Sequence, residues 1–174
     1  MSSLRRRSLA LIAMAAAAPT ACRRAASNSA APSQVLEDFT LRQTLRGAPV
    51  WKLRARAAVL HEEDNLAHLT GPTMEFYKQG KTVSRVTALG GRARLDTHDV
   101  LLSSSVVLDA PGEHAILETD SLAYSSKRNL FTTDAEVRMR RPGSRLRGRG
   151  IEAKPDLSEI RIFNQQSVVK EGGE

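Results

Sequence analysis

One strand-and-turn unit recurs near the C-terminal end of this chain, and it restricts the fold to stacked strands. Leu117-Glu118-Thr119-Asp120-Ser121-Leu122-Ala123-Tyr124 is echoed by Phe131-Thr132-Thr133-Asp134-Ala135-Glu136-Val137, and more loosely by Leu146-Arg147-Gly148-Arg149-Gly150-Ile151. The two Thr-Asp pairs are 14 positions apart, which suits one strand plus a tight turn. The copies differ in phase: Leu122 and Tyr124 lie two and four positions beyond Asp120, whereas Val137 and Met139 lie three and five beyond Asp134. Side chains alternate with period two, so both sets face inward only if one copy carries a bulge. A bend is therefore expected between residues 117 and 139.

Alternation extends upstream. Trp51, Leu53, Ala55, Ala57 and Val59 fall on one face of a strand whose other face carries Lys52, Arg54 and Arg56. Phe39 and Leu41 mark an earlier strand, and further strands are expected over 67–77, 82–95, 100–109, 115–124, 130–140, 145–152 and 159–163. Gly47-Ala48-Pro49, Gln79-Gly80, His98-Asp99, Pro111-Gly112, Arg128-Asn129, Pro142-Gly143 and Lys154-Pro155-Asp156 punctuate them with turn chemistry. Helical periodicity is hard to find beyond the N-terminal segment, so the crossovers of a parallel sheet are missing. The expected fold is all-β: an antiparallel open sandwich or roll. Its inner face mixes small residues (Ala55, Ala57, Ala88, Ser104, Thr133, Ala135) with large ones (Leu53, Val59, Val86, Val106, Val137, Met139). Such a mixture either packs closed or leaves an apolar groove.

The N-terminal residues 1–22 have the layout of a secretory signal: Arg5-Arg6-Arg7, then an apolar run over 9–18, then Pro19-Thr20-Ala21-Cys22. The apolar run is about half of the ~20 residues a spanning helix needs, so cleavage is expected rather than retention as an anchor. Cys22 is the only cysteine. It follows small residues as in a bacterial lipobox, with Pro19 where leucine is usual, and is expected to be the lipid anchor. The alternatives are a cysteine inside the discarded peptide or a lone thiol on a tail. Residues 23–37 read as a flexible tether, 38–165 as one domain and 166–174 as a polar tail. The formal charge of +7 drops by three, to +4, with the signal's arginines. A charge that mild, with 4% aromatics, argues against a nucleic-acid binder.

No catalytic constellation can be assembled from the residues, and neither a cofactor nor a metal is expected. In His61-Glu62-Glu63-Asp64-Asn65-Leu66-Ala67-His68 the histidines are seven apart, not the four of a helical zinc motif, which favours a solvated acidic turn. Ser103-Ser104-Ser105 lacks a nucleophile elbow, and Gly90-Gly91 reads as a bend or bulge. Arg138, Arg140, Arg141, Arg145, Arg147, Arg149 and Lys154 make the C-terminal third basic. That face either keeps a sheet edge soluble or lets Arg145, Arg147 and Arg149 contact the phosphates of an anionic lipid.

Trp51-x-Leu53-x-Ala55, Gly71-Pro72-x-Met74-x-Phe76-Tyr77, Val83-x-x-Val86-x-Ala88-x-x-Gly91 and Leu117-x-Thr119-Asp120-x-Leu122-x-Tyr124 recur in order with Phe131-x-Thr133-Asp134-x-x-Val137 and Leu146-x-Gly148-x-Gly150-Ile151-Glu152-Ala153. Over about 38–163 this order resembles the LptC family of lipopolysaccharide-export proteins and the related LptA/OstA-like domains. The resemblance implies a non-enzymatic β-jelly roll in the periplasm, open along one side, whose apolar interior groove receives the acyl chains of lipopolysaccharide. The groove would be lined by Trp51, Leu53, Val59, Phe76, Val86, Leu102, Val106, Leu122, Tyr124, Phe131, Val137 and Met139. It further implies that an inner-membrane ABC transporter supplies lipid at the first strand (residues 39–43), and that an LptA-like roll accepts it at the last (159–163). Many relatives keep a transmembrane anchor where this chain has a lipoprotein-like signal. Arg23 after Cys22 leaves open which membrane holds it, the inner being favoured. The alternative role is a structural periplasmic lipoprotein whose roll is packed and binds only the edges of partner proteins.

Overall fold

The computed structural model describes residues 33–165 and the backbone of one further strand at Ser167–Lys170. The signal-like segment, Cys22 and most of the expected tether lie outside the described residues. The chain runs through β1 (Gln34–Leu45), β2 (Ala48–His61), β3 (Leu66–Thr70), β4 (Thr73–Lys78), β5 (Lys81–Thr87), β6 (Gly90–Arg94) and β7 (Val100–Ala110). It continues through β8 (Ala115–Ser125), β9 (Leu130–Arg141), β10 (Ser144–Ala153), β11 (Ile160–Ile162) and β12 (Ser167–Lys170). Two single-turn 3-10 segments, Glu62–Asp64 and Pro111–Glu113, are the only helical elements among the described residues.

All pairings are antiparallel and make one sheet, as an all-β roll without crossovers requires. β2 pairs β1 along one edge; along the other it pairs β4 with residues 51–54 and β3 with residues 57–61. β7 does the same, meeting β6 through 100–103 and β5 through 107–109. β10 in turn meets β12 through 144–147 and β11 through 151–153. The expected strands over 67–77 and 82–95 are thus each two strands, β3–β4 and β5–β6, broken at Gly71-Pro72 and Ala88-Leu89. β1 starts at Gln34, inside the segment expected to be tether, and Ser167–Lys170 of the expected tail is paired to β10.

These breaks belong to a single corner that crosses the whole sheet. The buried positions of β2 are Trp51, Leu53 and Ala55 and then Ala58, an odd-to-even switch. The same switch of phase separates Ala67 and Leu69 from Met74 and Phe76, and Val86 and Ala88 from Ala93. It separates Leu117 and Thr119 from Leu122 and Tyr124, and Gly148 from Ile151 and Ala153. Register shifts fall at the same level in the ladders: Ser103/Val106 in β7–β8, Thr119/Ala123 in β8–β9 and Arg149/Ile151 in β9–β10. The bend expected between 117 and 139 is therefore one segment of a line that runs from Asp38 (φ 51) past Gly71, Ser104 and Ser105 to Gly150. Each bulge adds local twist and lets the strand turn without breaking the sheet.

The residues of the Thr-Asp echo satisfy the backbone groups that the bulges loosen. Thr119 Oγ1 donates to the Glu136 carbonyl at 2.8 Å. Thr133 Oγ1 accepts the Ala135 N–H at 3.1 Å and lies 3.2 Å from Ser121 Oγ. Thr119 and Thr133 are both buried, where an unpaired polar group costs about 1–3 kcal/mol. Thr119→Val, which keeps the shape and deletes the hydroxyl, is accordingly expected to lower unfolding free energy by about 1–3 kcal/mol. Urea denaturation checks this, and an unchanged midpoint would contradict the role given to that hydroxyl. In the third echo the device is Gly150, whose φ of 83° suits glycine.

Corner and ladders divide the sheet into two leaves with the same strand order. One holds the start of β1, the end of β2, β3, β6, the start of β7, the end of β8, the start of β9, the end of β10 and β11. The other holds the remaining halves with β4, β5 and β12. The leaves fold over each other and bury one continuous core that includes Trp51, Leu53, Phe76, Leu102, Leu108, Leu122, Phe131 and Ile151. Ala57 and Ser104 are corrections to the expected inner face. The corner turns Ala57 outward and half-exposes it, and Ser104, in the left-handed conformation, is exposed on the bulge.

Candidate functional site

The interior is closed on its aromatic residues. Trp51 and Phe76, from one leaf, meet Tyr124 and Phe131 from the other. Ring centroids are 6.2 Å apart for Trp51–Tyr124, 4.9 Å for Phe76–Tyr124 and 5.2 Å for Phe76–Phe131, all edge to face. Each ring is at most 2% exposed. Strand register makes the row: Trp51 is opposite Phe76, and Phe76 is opposite Ser84. Trp51 Nε1 and Ser84 Oγ are buried in this row without a hydrogen-bond partner.

Beyond the rings lies the mouth where the free ends of the leaves approach, and a few bridges hold it. Ser126 Oγ donates to Gln43 Oε1 at 2.9 Å, and the His98 ring stands edge-on to Trp51 at 6.2 Å. On the other side the 154–158 loop leaves β10 in one leaf and reaches the other: Lys78 Nζ is 3.2 Å from Asp156 Oδ2, and Arg141 Nη2 donates to the Leu157 carbonyl at 2.9 Å. Burial pushes the Asp156 carboxyl up, but hydrogen bonds from Ser158 and Lys78 outweigh it and hold the group below its usual value. A cleft of about 280 Å³ opens beside this loop, between Val50, Phe76, Lys78 and Val83 on one leaf and Asn129 and Pro155 on the other.

Tyr124 donates to Asn129 Oδ1 at 3.1 Å at the same rim. Burial, with a smaller contribution from the Asp99 charge, pushes its phenol up to about 12. A folded-state value above the unfolded one stabilises the fold below pH ~10 and is lost as pH rises toward ~12. Stability is therefore expected to fall between those limits, and Tyr124→Phe to make that fall smaller, the Tyr77 phenol, also pushed up by burial, keeping a part of it. An identical alkaline profile in the variant would contradict it.

Of the twelve residues expected to line a groove, eleven are buried in this interior: Trp51, Leu53, Phe76, Val86, Leu102, Val106, Leu122, Tyr124, Phe131, Val137 and Met139. Val59 is the correction. The corner puts Ala58 and Leu60 on the inner side, and Val59 lies half-buried on the other face, between Val35 and His68 in the ladder. Leu157, buried from the 154–158 loop, is a member of the core that alternation could not reveal.

Arg145, Arg147 and Arg149 stand exposed on the outer face of β10, opposite Arg140, Arg138 and Glu136 respectively. Like charges directly across a ladder repel. Glu118 and Glu136 offset part of this through Arg140 at 2.6 Å and Arg138 at 2.9 Å. His61 and His68 come together across the β2–β3 turn with ring centroids 5.2 Å apart, and no group of three metal-ligating side chains occurs among the described residues.

Among the described residues, the sheet ends at β1 on one side and at the pair β11/β12 on the other. Val35, Leu36 and Leu45 on β1 and Phe163 just after β11 are among the exposed large hydrophobic residues. No helix among the described residues is long and apolar enough to cross a membrane.

A folded-over antiparallel roll with an apolar interior and two unpaired edges is the class these features define. The family model for lipopolysaccharide-assembly, LptC-related proteins matches residues 8–169, and the chain belongs to that family. It is accordingly a component of lipopolysaccharide transport in the cell envelope. None of the curated proteins compared with the chain matches it.

Proposed function

We propose that this protein is a non-enzymatic bridge that takes lipopolysaccharide from an inner-membrane ABC transporter and passes it to a periplasmic LptA-like roll, holding the acyl chains between its two leaves. The observation that carries this is the continuous apolar interior, which is walled off at its mouth by a few side-chain bridges rather than by a ladder. Burying acyl surface there is worth about 25 cal/mol per Å², a driving force that needs no catalytic group. The β1 edge, with Val35, Leu36 and Leu45 exposed, suits strand addition from the transporter side, and the β11 edge with Phe163 suits the acceptor. Arg145, Arg147 and Arg149, aligned on the outer face of β10, would contact the lipid's phosphates, whose paired oxygens suit a guanidinium fork. Cys22, outside the described residues, would carry the lipid anchor that keeps the protein at the membrane, the inner one favoured.

A second reading has an observation behind it: the rings of Trp51, Phe76, Tyr124 and Phe131 are already in mutual contact and at most 2% exposed, as in a packed scaffold that binds only protein edges. Titration with a fluorescent fatty acid separates the two. The bridge gives saturable binding and the scaffold gives none. Replacing Arg145, Arg147 and Arg149 by glutamine is expected to weaken binding of a phosphorylated glycolipid and flatten its salt dependence. Unchanged values would remove the phosphate role.

A further inference from the structure

We propose that the cleft between Lys78 and Asn129 is the port through which an acyl chain of an anionic lipid enters the interior, and that the 154–158 loop is its plug. This rests on the lipid-binding reading above and adds a route to it. Leu157 is fully buried in the core, yet it is presented by a loop with no ladder pairing of its own and sits at φ 56, a left-handed conformation that a leucine side chain disfavours. Its side chain fills apolar space that the methylenes of an acyl chain would fill equally well. Within the loop, Pro155 is buried, Lys154 bonds Glu159, Ser158 donates to Asp156, and the Leu157 N–H donates to the Lys154 carbonyl at 2.9 Å; the Lys78–Asp156 pair and the Arg141–Leu157 hydrogen bond tie it to the facing leaf. Lys78 is largely exposed while Asp156 is mostly covered, and an ion pair with one solvated partner is a modest restraint.

The Arg141 guanidinium favours exchange of plug for lipid. With the loop seated, Nη2 has the Leu157 carbonyl as acceptor, while Nε is buried and unpartnered. A phosphate offers a guanidinium two parallel acceptors where a lone carbonyl offers one. Behind the plug the route is short: Phe76 lines the cleft and is also a member of the aromatic cluster. A chain that enters the cleft past Phe76 meets Tyr124 and Phe131 next.

The test is stopped-flow uptake of 11-(dansylamino)undecanoic acid by the full chain. Leu157→Gly removes the plug and accepts the backbone conformation, and its association rate should rise about tenfold. Asp156→Asn, which weakens the strap and keeps the core, should give a rise of a few fold. Ile116→Ala, a truncation on the outward face of β8, should leave the rate at the wild-type value. Wild-type protein that binds the probe at the same rate as Leu157→Gly and Asp156→Asn would overturn the plug and leave the lipid-binding reading standing. A rise as large in Ile116→Ala would assign the effect to general loosening and overturn it too. No binding by any of the four proteins would overturn the lipid-binding reading and the port with it. Should Leu157→Gly not fold, Asp156→Asn and amide exchange of the loop decide: exchange at Leu157 is expected to be faster than at Ile151 of β10, and equal protection would contradict a plug.

Discussion

Replacing Trp51 by alanine is expected to cost about 3–5 kcal/mol of unfolding free energy. The indole joins the two leaves: it is fully buried, it packs edge-on against Tyr124 and His98, and its strand neighbour Phe76 extends the same contact to Phe131. Truncation leaves a cavity at the point where one leaf's face rests on the other, and the ladders on either side prevent the backbone from collapsing into it. Domains typically have about 5–15 kcal/mol in total, so a loss of this size leaves little margin. Trp51→Phe should lose much less, because Trp51 Nε1 has no hydrogen-bond partner to forfeit and a phenyl ring restores part of the volume. Urea unfolding followed by circular dichroism measures both variants. A Trp51→Ala protein within about 0.5 kcal/mol of wild type, on the scale of surface substitutions, would mean that the leaves do not depend on this contact.

Deleting Asp120 is expected to prevent cooperative folding altogether, although its side chain is exposed and its replacement by alanine should be nearly silent. β8 crosses the corner between Thr119, opposite Val137, and Ala123, opposite Thr132. One residue fewer shortens the crossing by about 3.3 Å. One half of β8 must then slip against β7 or β9, and a one-residue slip turns an entire inward set to solvent. Either Leu117 and Thr119 or Leu122 and Tyr124 would be expelled. The deletion variant should show no sigmoidal denaturant transition, whereas a wild-type transition would mean that the corner tolerates any chain length.

The strands themselves were readable because alternation and turn residues are local, and their limits were met within a few residues almost everywhere. The phase slip between the two Thr-Asp copies also exposed one segment of the corner. Its full course was not readable, since a bulge adds a residue without leaving a compositional mark. Val59 and Ala57 therefore looked like continuations of Trp51, Leu53 and Ala55, and Ser104 like an inward partner of Leu102 and Val106. Trp51, Phe76, Tyr124 and Phe131 were identifiable as core, but their meeting across leaves depends on long-range register that no window of sequence contains. Leu157 was invisible for a different reason: it is a single apolar residue in a Pro-Asp turn, with no period to place it, and tertiary packing alone buries it.

Lipid held between the leaves is open to capture by site-specific photo-crosslinking in a cell that makes lipopolysaccharide. A photoreactive amino acid at Val106 or Val137, both buried on the inner face, should capture lipopolysaccharide, while the same residue at Asp109, exposed on the outer face, should not. Silence at both inner positions in a folded, correctly exported protein, or equal capture at Asp109, would contradict that placement of the lipid.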